Sequence, residues 1–156
     1  MRNALRVIQE VSDEFAKTFG RQYGLFEEYR LDDAEIVLVA LSSACGEIKE
    51  VIDVMRTKGE KVGLLKIRSF RPFPYAQIAQ ALSRAKIVTV LDRSASFGAH
   101  GPVFTEICTA VSGYSTNHPL LPAHTFGLGG REMTLQHIEH IISESRICLD
   151  KGTVGN

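Results

Sequence analysis

The stretch KIVTVLDRSASFGAHGPVFTEICTAV, residues 86–111, decides the fold class of this chain. It begins with a short apolar run rich in β-branched residues, residues 87–91, which is typical of a buried strand. A polar loop with two glycines follows, and Pro102 stands where a proline commonly begins a helix. Open α/β sheets place their ligands or partners at the carboxyl ends of parallel strands. The central question is therefore what residues 92–101 touch.

The same alternation of strand and helix runs along most of the chain. Apolar patterns predict strands at residues 35–41, 62–67, 87–91 and 123–126 and helices at residues 48–58, 74–82, 103–111 and 135–142. Residues 22–30 are irregular or form a short edge strand. Strands that alternate with helices indicate βαβ units and a mostly parallel sheet that is covered on both faces.

Both ends of the chain carry separate expectations. Residues 5–19 have apolar residues at helical spacing, and Gly20 stands where a helix C-cap belongs. This strongly amphipathic helix either packs on its own domain or is the tail of a connection from an upstream domain. Residues 147–156 are predicted to be a frayed tail.

Composition narrows the functional classes. A length of 156 residues suits one domain, and 18 basic against 18 acidic residues argue against broad attraction to nucleic acid or an anionic membrane. Cys45, Cys108 and Cys148 form no CxxC pair, so no cysteine zinc site or iron–sulfur cluster is encoded. Unpaired cysteines and the lack of a signal-peptide pattern lead us to expect a cytoplasmic protein.

The loop at the end of the central strand allows two interpretations. Gly98-x-x-Gly101 before a helix favours a phosphate cradle, or it is a tight connection that needs glycine dihedrals. Asp92 and Arg93 are a catalytic carboxylate with an anion-binding arginine, or an ion pair or loop-fixing hydrogen bond. His100 is the one histidine in a catalytic setting, but the sequence offers it no nucleophile.

The segment that follows the preceding strand holds further candidates. Arg68 and Arg71 are expected near Arg93 at the same sheet edge, where they bind an anionic partner or pair with Asp92 and nearby acids. Two prolines flank Phe73 and stiffen its turn. Phe73 is therefore either an exposed docking residue or a core residue at the start of a helix.

Three weaker motifs complete the set. The thiol of Cys45 lies at a helix start, where the dipole lowers a pKa, but a small buried residue is the commoner explanation. His137 and His140 share a helix face without a further metal ligand, so we expect them to be solvated. Residues 127–131, with Gly129 and Arg131, bind an anion through their backbone or form a sharp turn.

Four patches resemble, in order, the C-terminal part of the α subunit of pyruvate:ferredoxin oxidoreductase. They are EF, FGRQYG and EYR within residues 14–30, VGLLKIRSFRPFP at 62–74, LDR with SFG within 91–98, and GLGGR at 127–131. The resemblance covers roughly residues 1–142. More distantly, Arg-x-x-Arg-Pro after one strand and Phe-Gly-x-x-Gly after the next are similar to the C-terminal domain of transketolase and of the pyruvate dehydrogenase β subunit.

The resemblance implies an α/β fold: a three-layer α/β/α sandwich on a five-stranded, mostly parallel sheet with one antiparallel strand, for which residues 26–30 are the candidate. It also implies an enzyme that decarboxylates pyruvate on thiamine diphosphate and Mg²⁺. Electrons pass through iron–sulfur clusters to ferredoxin, and coenzyme A becomes acetyl-CoA. This chain lacks the Gly-Asp-Gly diphosphate motif and the cysteine motif of the clusters.

We therefore expect a non-catalytic assembly domain of such an α subunit. Residues 33–146 form the transketolase-like domain, residues 1–32 pack on it, and the partners are other domains and subunits and, indirectly, ferredoxin. No cofactor is expected on this chain alone. The alternatives are an independent small-molecule or nucleotide-binding module, and a free-standing enzyme built on His100 and Cys45. The interface or loop candidates are Arg68, Arg71, Phe73, Asp92, Arg93, Phe97, Gly98, His100, Gly101, Gly129 and Arg131.

Overall fold

One five-stranded sheet contains all the predicted strands. The computed structural model describes residues 2–154. Its elements in chain order are α1 (Arg2–Phe19), β1 (Phe26–Tyr29), β2 (Ile36–Leu41), α2 (Ala44–Thr57), β3 (Val62–Ile67), α3 (Tyr75–Ala81), β4 (Ile87–Asp92), α4 (Pro102–Tyr114), β5 (Ala123–Thr125), a 3₁₀ turn (Leu128–Gly130) and α5 (Leu135–Lys151).

The strand order across the sheet is β1-β3-β2-β4-β5. β1 pairs with β3 in the antiparallel sense, and the other three pairings are parallel. In the central register, Val39 of β2 lies between Leu65 of β3 and Val90 of β4. The expected mostly parallel sheet with one antiparallel strand is confirmed, and that strand is the edge strand β1.

Helices cover both faces of the sheet because successive strand residues point to opposite faces. Val37 and Val39 of β2 join one buried cluster with Ile78 of α3 and Ile107 of α4. The alternate residues of β2 join a second cluster with residues from α2 and α5, among them Ile48 and Ile138. The molecule is therefore the expected three-layer α/β/α sandwich.

A pair of hydroxyl groups interrupts the apolar packing between β4 and α5. The side-chain oxygens of Thr89 and Ser145 lie 2.7 Å apart, and Ser145 also donates to the carbonyl oxygen of Ile141. Both residues are almost completely buried. Because each buried hydroxyl has a partner, the pair avoids the cost of an unpaired polar group.

Helix α5 is longer than the sequence predicts. The frayed tail was expected from residue 147, whereas α5 continues to Lys151 and ends at Gly152, which has a left-handed φ of 70°. Cys148 and Leu149 pack against the apolar cluster beneath α5 and hold its last turns in place. Residues 155 and 156 of the predicted tail lie outside the described residues.

The N-terminal helix ends as expected, at Gly20, whose φ is 68° and whose N–H donates to the carbonyl oxygen of Ala16. On the side of the domain, Leu5 lines one cleft with Phe26 and another with Tyr75. Over residues 2–154, the helices do not reach the combination of length and apolar character needed to cross a bilayer.

Candidate functional site

A cleft of about 400 Å³ opens at the carboxyl ends of the parallel strands. The chain moves from β2 to β3 on one side and then back past β2 to β4, so this is the switch point of the sheet. Ser42 after β2, Phe70 after β3, Arg93 after β4 and Phe126 after β5 line the cleft. We call residues 68–73, which follow β3, and residues 92–100, which begin at the last residue of β4, the strand-end surface.

Asp92 fixes the start of helix α4. Its carboxylate accepts hydrogen bonds from the backbone N–H of Val103, at 3.0 Å, and of Phe104, at 2.9 Å. Pro102 has no N–H, so these two are the free donors of the first turn that need an acceptor. Asp92 is only 4% exposed. Of its predicted roles, the loop-fixing hydrogen bond is confirmed, and an ion pair with Arg93 is wrong.

The two loop glycines have different reasons for their identity. A Cβ at Gly101 would lie 2.2 Å from the Cγ of Asp92, so the capping carboxylate occupies the space that any side chain there needs. Gly98 instead has a φ of 68°, within a turn that the N–H of Ala99 closes on the carbonyl oxygen of Ser96. The helix donors already bind Asp92, so the phosphate-cradle interpretation is wrong and the loop is a tight connection.

Phe97, and not Phe73, is the exposed aromatic residue of the strand-end surface. Phe73 is 5% exposed and packs in the core cluster beside α3, so its interpretation as an exposed docking residue is wrong. The Arg71–Pro72 peptide bond before it is cis. Phe97, at the tip of the 96–99 turn, is fully exposed. The strand-end surface therefore presents an aromatic side chain, but on the loop after β4.

The three arginines do not converge on one group. Arg68 donates to Glu27 of β1 at 2.5 Å, and Arg71 donates to Glu106 of α4 at 2.7 Å. The guanidinium of Arg93 lies against Gly127, where a Cβ would come 3.0 Å from its Nε. Pairing with nearby acids is thus confirmed for the first two, and a shared anion site is not formed.

Two glutamates that sequence reasoning missed organise these contacts. Glu27 binds Lys49 as well as Arg68, and Glu106 also accepts a hydrogen bond from the hydroxyl of Tyr75. Burial by itself raises the pKa of Glu27, but the neighbouring Lys49 and Arg68 outweigh it and lower the pKa. Neither glutamate stands in a motif, because its partners lie more than twenty residues away.

The second glycine loop meets the first only where Arg93 lies against Gly127. Gly129 has a φ of 65° inside the 3₁₀ turn, and Arg131 is exposed after it. Neither residue lines the cleft, whereas Phe126 does. The sharp-turn interpretation accounts for the backbone of residues 127–131.

The remaining candidates have structural surroundings. His100 is exposed and its ring centroid lies 4.5 Å from that of Phe104, and none of the hydrogen bonds among residues 2–154 involves its side chain. Burial raises the pKa of the Cys45 thiol to about 11, which contradicts an activated thiolate. His137 completes the capping box of α5 with Thr134, and His140 lies 3.3 Å from Glu144.

The donor set does not fit the metal ion or the iron–sulfur clusters of the resembled enzyme. No group of three His, Cys, Asp or Glu side chains within the described residues is placed to hold a metal ion. Cys45 lies in the core, and the other two cysteines lie on α4 and α5. The one buried carboxylate of the site, on Asp92, is committed to capping α4. We assign no chemical step to this chain.

Comparisons with known proteins identify the family of this chain. The family profile "Pyruvate:ferredoxin oxidoreductase core domain II" matches residues 34–138. Pyruvate synthase subunit PorA of Methanothermobacter thermautotrophicus is 44% identical over 142 residues, which are 91% of this chain and 36% of that protein. PorA of Pyrococcus furiosus is 38% identical over 156 residues, which are 100% of this chain and 39% of that protein. The chain thus spans less than two-fifths of these relatives.

Two further comparisons add a relative that is named for a different substrate and a solved structure that supports the fold. The α subunit of NADH-dependent phenylglyoxylate dehydrogenase of Aromatoleum evansii is 38% identical over 96% of this chain and 36% of that protein. The solved 2-oxoglutarate:ferredoxin oxidoreductase of Magnetococcus marinus superposes with a TM-score of 0.59 at 16% identity, over 85% of this chain and 21% of that one. The chain belongs to the pyruvate:ferredoxin oxidoreductase core domain II family.

Proposed function

We propose that this chain is a non-catalytic assembly domain of the α subunit of a 2-oxoacid:ferredoxin oxidoreductase, and that the strand-end surface docks other parts of that enzyme. The observation that carries the proposal is Phe97, a fully exposed aromatic residue at the tip of a tight turn. A fully exposed aromatic ring offers a large apolar area that a partner can bury. Aromatic anchors of this kind dominate the energy of many protein interfaces.

The loop is prepared for docking before a partner arrives. The Ser96–Ala99 turn fixes its tip, and Asp92 anchors the helix that follows it. A loop held in its bound shape loses little conformational entropy on association. Burial of the Phe97 ring contributes about 1.5–3 kcal/mol to docking.

The substrate of the assembled enzyme is proposed to be pyruvate. The PorA relatives are named pyruvate synthases, while the phenylglyoxylate enzyme shows that the same domain type occurs with another 2-oxoacid. In this proposal, other parts of the enzyme bind thiamine diphosphate, Mg²⁺ and the iron–sulfur clusters. Ferredoxin is an indirect partner, because it receives electrons from those clusters.

The test replaces the 156 matched residues of P. furiosus PorA with this chain and copurifies the chimeric subunit with the other subunits of that enzyme. Phe97→Ala is expected to weaken copurification at least tenfold without a change in thermal unfolding of the chain. Val54→Ala, which truncates an exposed residue of α2, is the matched control and should have no effect. Equal copurification of both variants, or pyruvate-dependent dye reduction by this chain alone, would contradict the proposal.

A further inference from the structure

A second apolar surface lies on helix α1, apart from the loop that carries Phe97. Val7, Val11, Phe15 and Phe19 follow each other at intervals of four residues and form one ridge, which we call the α1 ridge. Val7 is 43% exposed, Val11 58% and Phe19 60%, and the ring of Phe15 packs on that of Phe19 at 4.5 Å. A ridge with this spacing is the surface that packs into a groove on another helix.

The body of the domain contacts α1 along the edge of the same apolar face, and it holds the helix weakly. Ser12 is the one residue of α1 that is buried among those with described side chains, and its hydroxyl has no hydrogen-bond partner. A buried hydroxyl without a partner is destabilising. The contacts of α1 with its own domain therefore do not account for an amphipathic helix whose apolar face is largely in solvent.

The size of the ridge favours a partner that is covalently linked to it. Four partly covered side chains offer on the order of 300–400 Å², well below the roughly 800 Å² per partner of a stable interface between separate molecules. A segment of the same chain needs less area, because linkage supplies a high effective concentration. The PorA relatives have such a segment, since more than three-fifths of their length has no counterpart in this chain.

We propose that the α1 ridge is the surface on which the remaining part of a PorA-type subunit packs, through a helical groove of that part. This inference rests on the proposed function. It adds a contact inside the subunit, separate from the contact that Phe97 makes with other subunits. The α1 ridge then joins the two parts of one chain, and the strand-end surface joins that chain to its neighbours.

Thiol labelling tests the proposal without reference to activity. Val11→Cys is introduced into this chain alone and into the chimera with P. furiosus PorA, and reaction with a maleimide is followed at that peptide by mass spectrometry. The rate is expected to fall at least tenfold in the chimera. Lys17→Cys, at an exposed position on a different face of the same helix, is the matched control and should react at the same rate in both.

Two outcomes would overturn the inference. One is an equal labelling rate at Val11→Cys in this chain and in a chimera that unfolds cooperatively. The other is protection in this chain alone that rises with its concentration, which would make a second copy the partner. Should the fusion misfold, the remaining P. furiosus segment is added in trans, and the same tenfold fall is required. Protection of Val11→Cys needs no other subunit, whereas the Phe97→Ala test measures copurification with the other subunits. A failure of this inference can therefore be distinguished from a failure of the proposed function.

Discussion

Replacing Asp92 by alanine tests the link between strand β4 and helix α4. The substitution removes the acceptor for the backbone N–H groups of Val103 and Phe104. Val103 is 2% exposed, so water cannot replace the lost acceptor there, whereas the N–H of Phe104 is only partly buried. An unpaired buried N–H costs about 1–3 kcal/mol, and a lost helix N-cap costs about 0.5–2 kcal/mol.

The two contributions together predict a loss of about 3 kcal/mol in the free energy of unfolding. For a chain of this length, that loss lowers Tm by about 6–12 °C. Urea unfolding followed by circular dichroism measures it as a lower midpoint with an unchanged slope m. Retention of the slope shows that the unfolded state is the same in both proteins.

Two controls separate the capping role from general effects. Asp92→Asn keeps an uncharged acceptor oxygen and should cost about 1–2 kcal/mol, since bonds to a carboxylate are stronger than bonds to an amide. Asp32→Ala removes an exposed carboxylate and should change stability by less than about 0.5 kcal/mol. A loss below about 1 kcal/mol for Asp92→Ala would refute the argument that these two N–H groups depend on it.

Two further predictions concern single side chains. Phe73→Ala should lower the free energy of unfolding in urea by about 3–5 kcal/mol because Phe73 is a core residue. Phe97→Ala should change it by less than about 0.5 kcal/mol. Similar losses for both variants would contradict the assignment of their roles. Burial lowers the pKa of His124 below its ordinary 6.5, against the opposing effect of Glu144, so the unfolded chain binds this proton more readily. Stability should therefore fall as the pH drops through the range just below 6.5, and His124→Gln should remove that part of the dependence; an unchanged pH profile of the variant would show that other groups cause it.

Much of the fold follows from local patterns in the sequence. Residues 87–91 and Pro102 define the strand and the helix start by composition and spacing alone, and the alternation of such units implies the parallel sheet. The antiparallel edge strand carries no such signal, because residues 26–29 hold two glutamates and an exposed position. The resemblance to a known family, rather than periodicity, indicated that strand.

The functional surface is less predictable because non-local contacts define it. A stiff proline turn fixes the backbone around Phe73, but packing between α3 and α4 decides that its ring points inward. The arginines Arg68 and Arg71 pair with glutamates that become neighbours only when the sheet and helices assemble. Phe97 lies in a polar loop, and only the turn geometry shows that its ring remains in solvent.

The fit between Asp92 and Gly101 has a consequence for how this sequence drifts over time. The carboxylate of Asp92 fills the space that a side chain at position 101 requires, with 2.2 Å between its Cγ and an added Cβ. Position 101 is therefore not free to change on its own. A lineage that acquires a side chain at 101 must also abandon the carboxylate at 92 and find another cap for α4, so the two positions should covary among relatives.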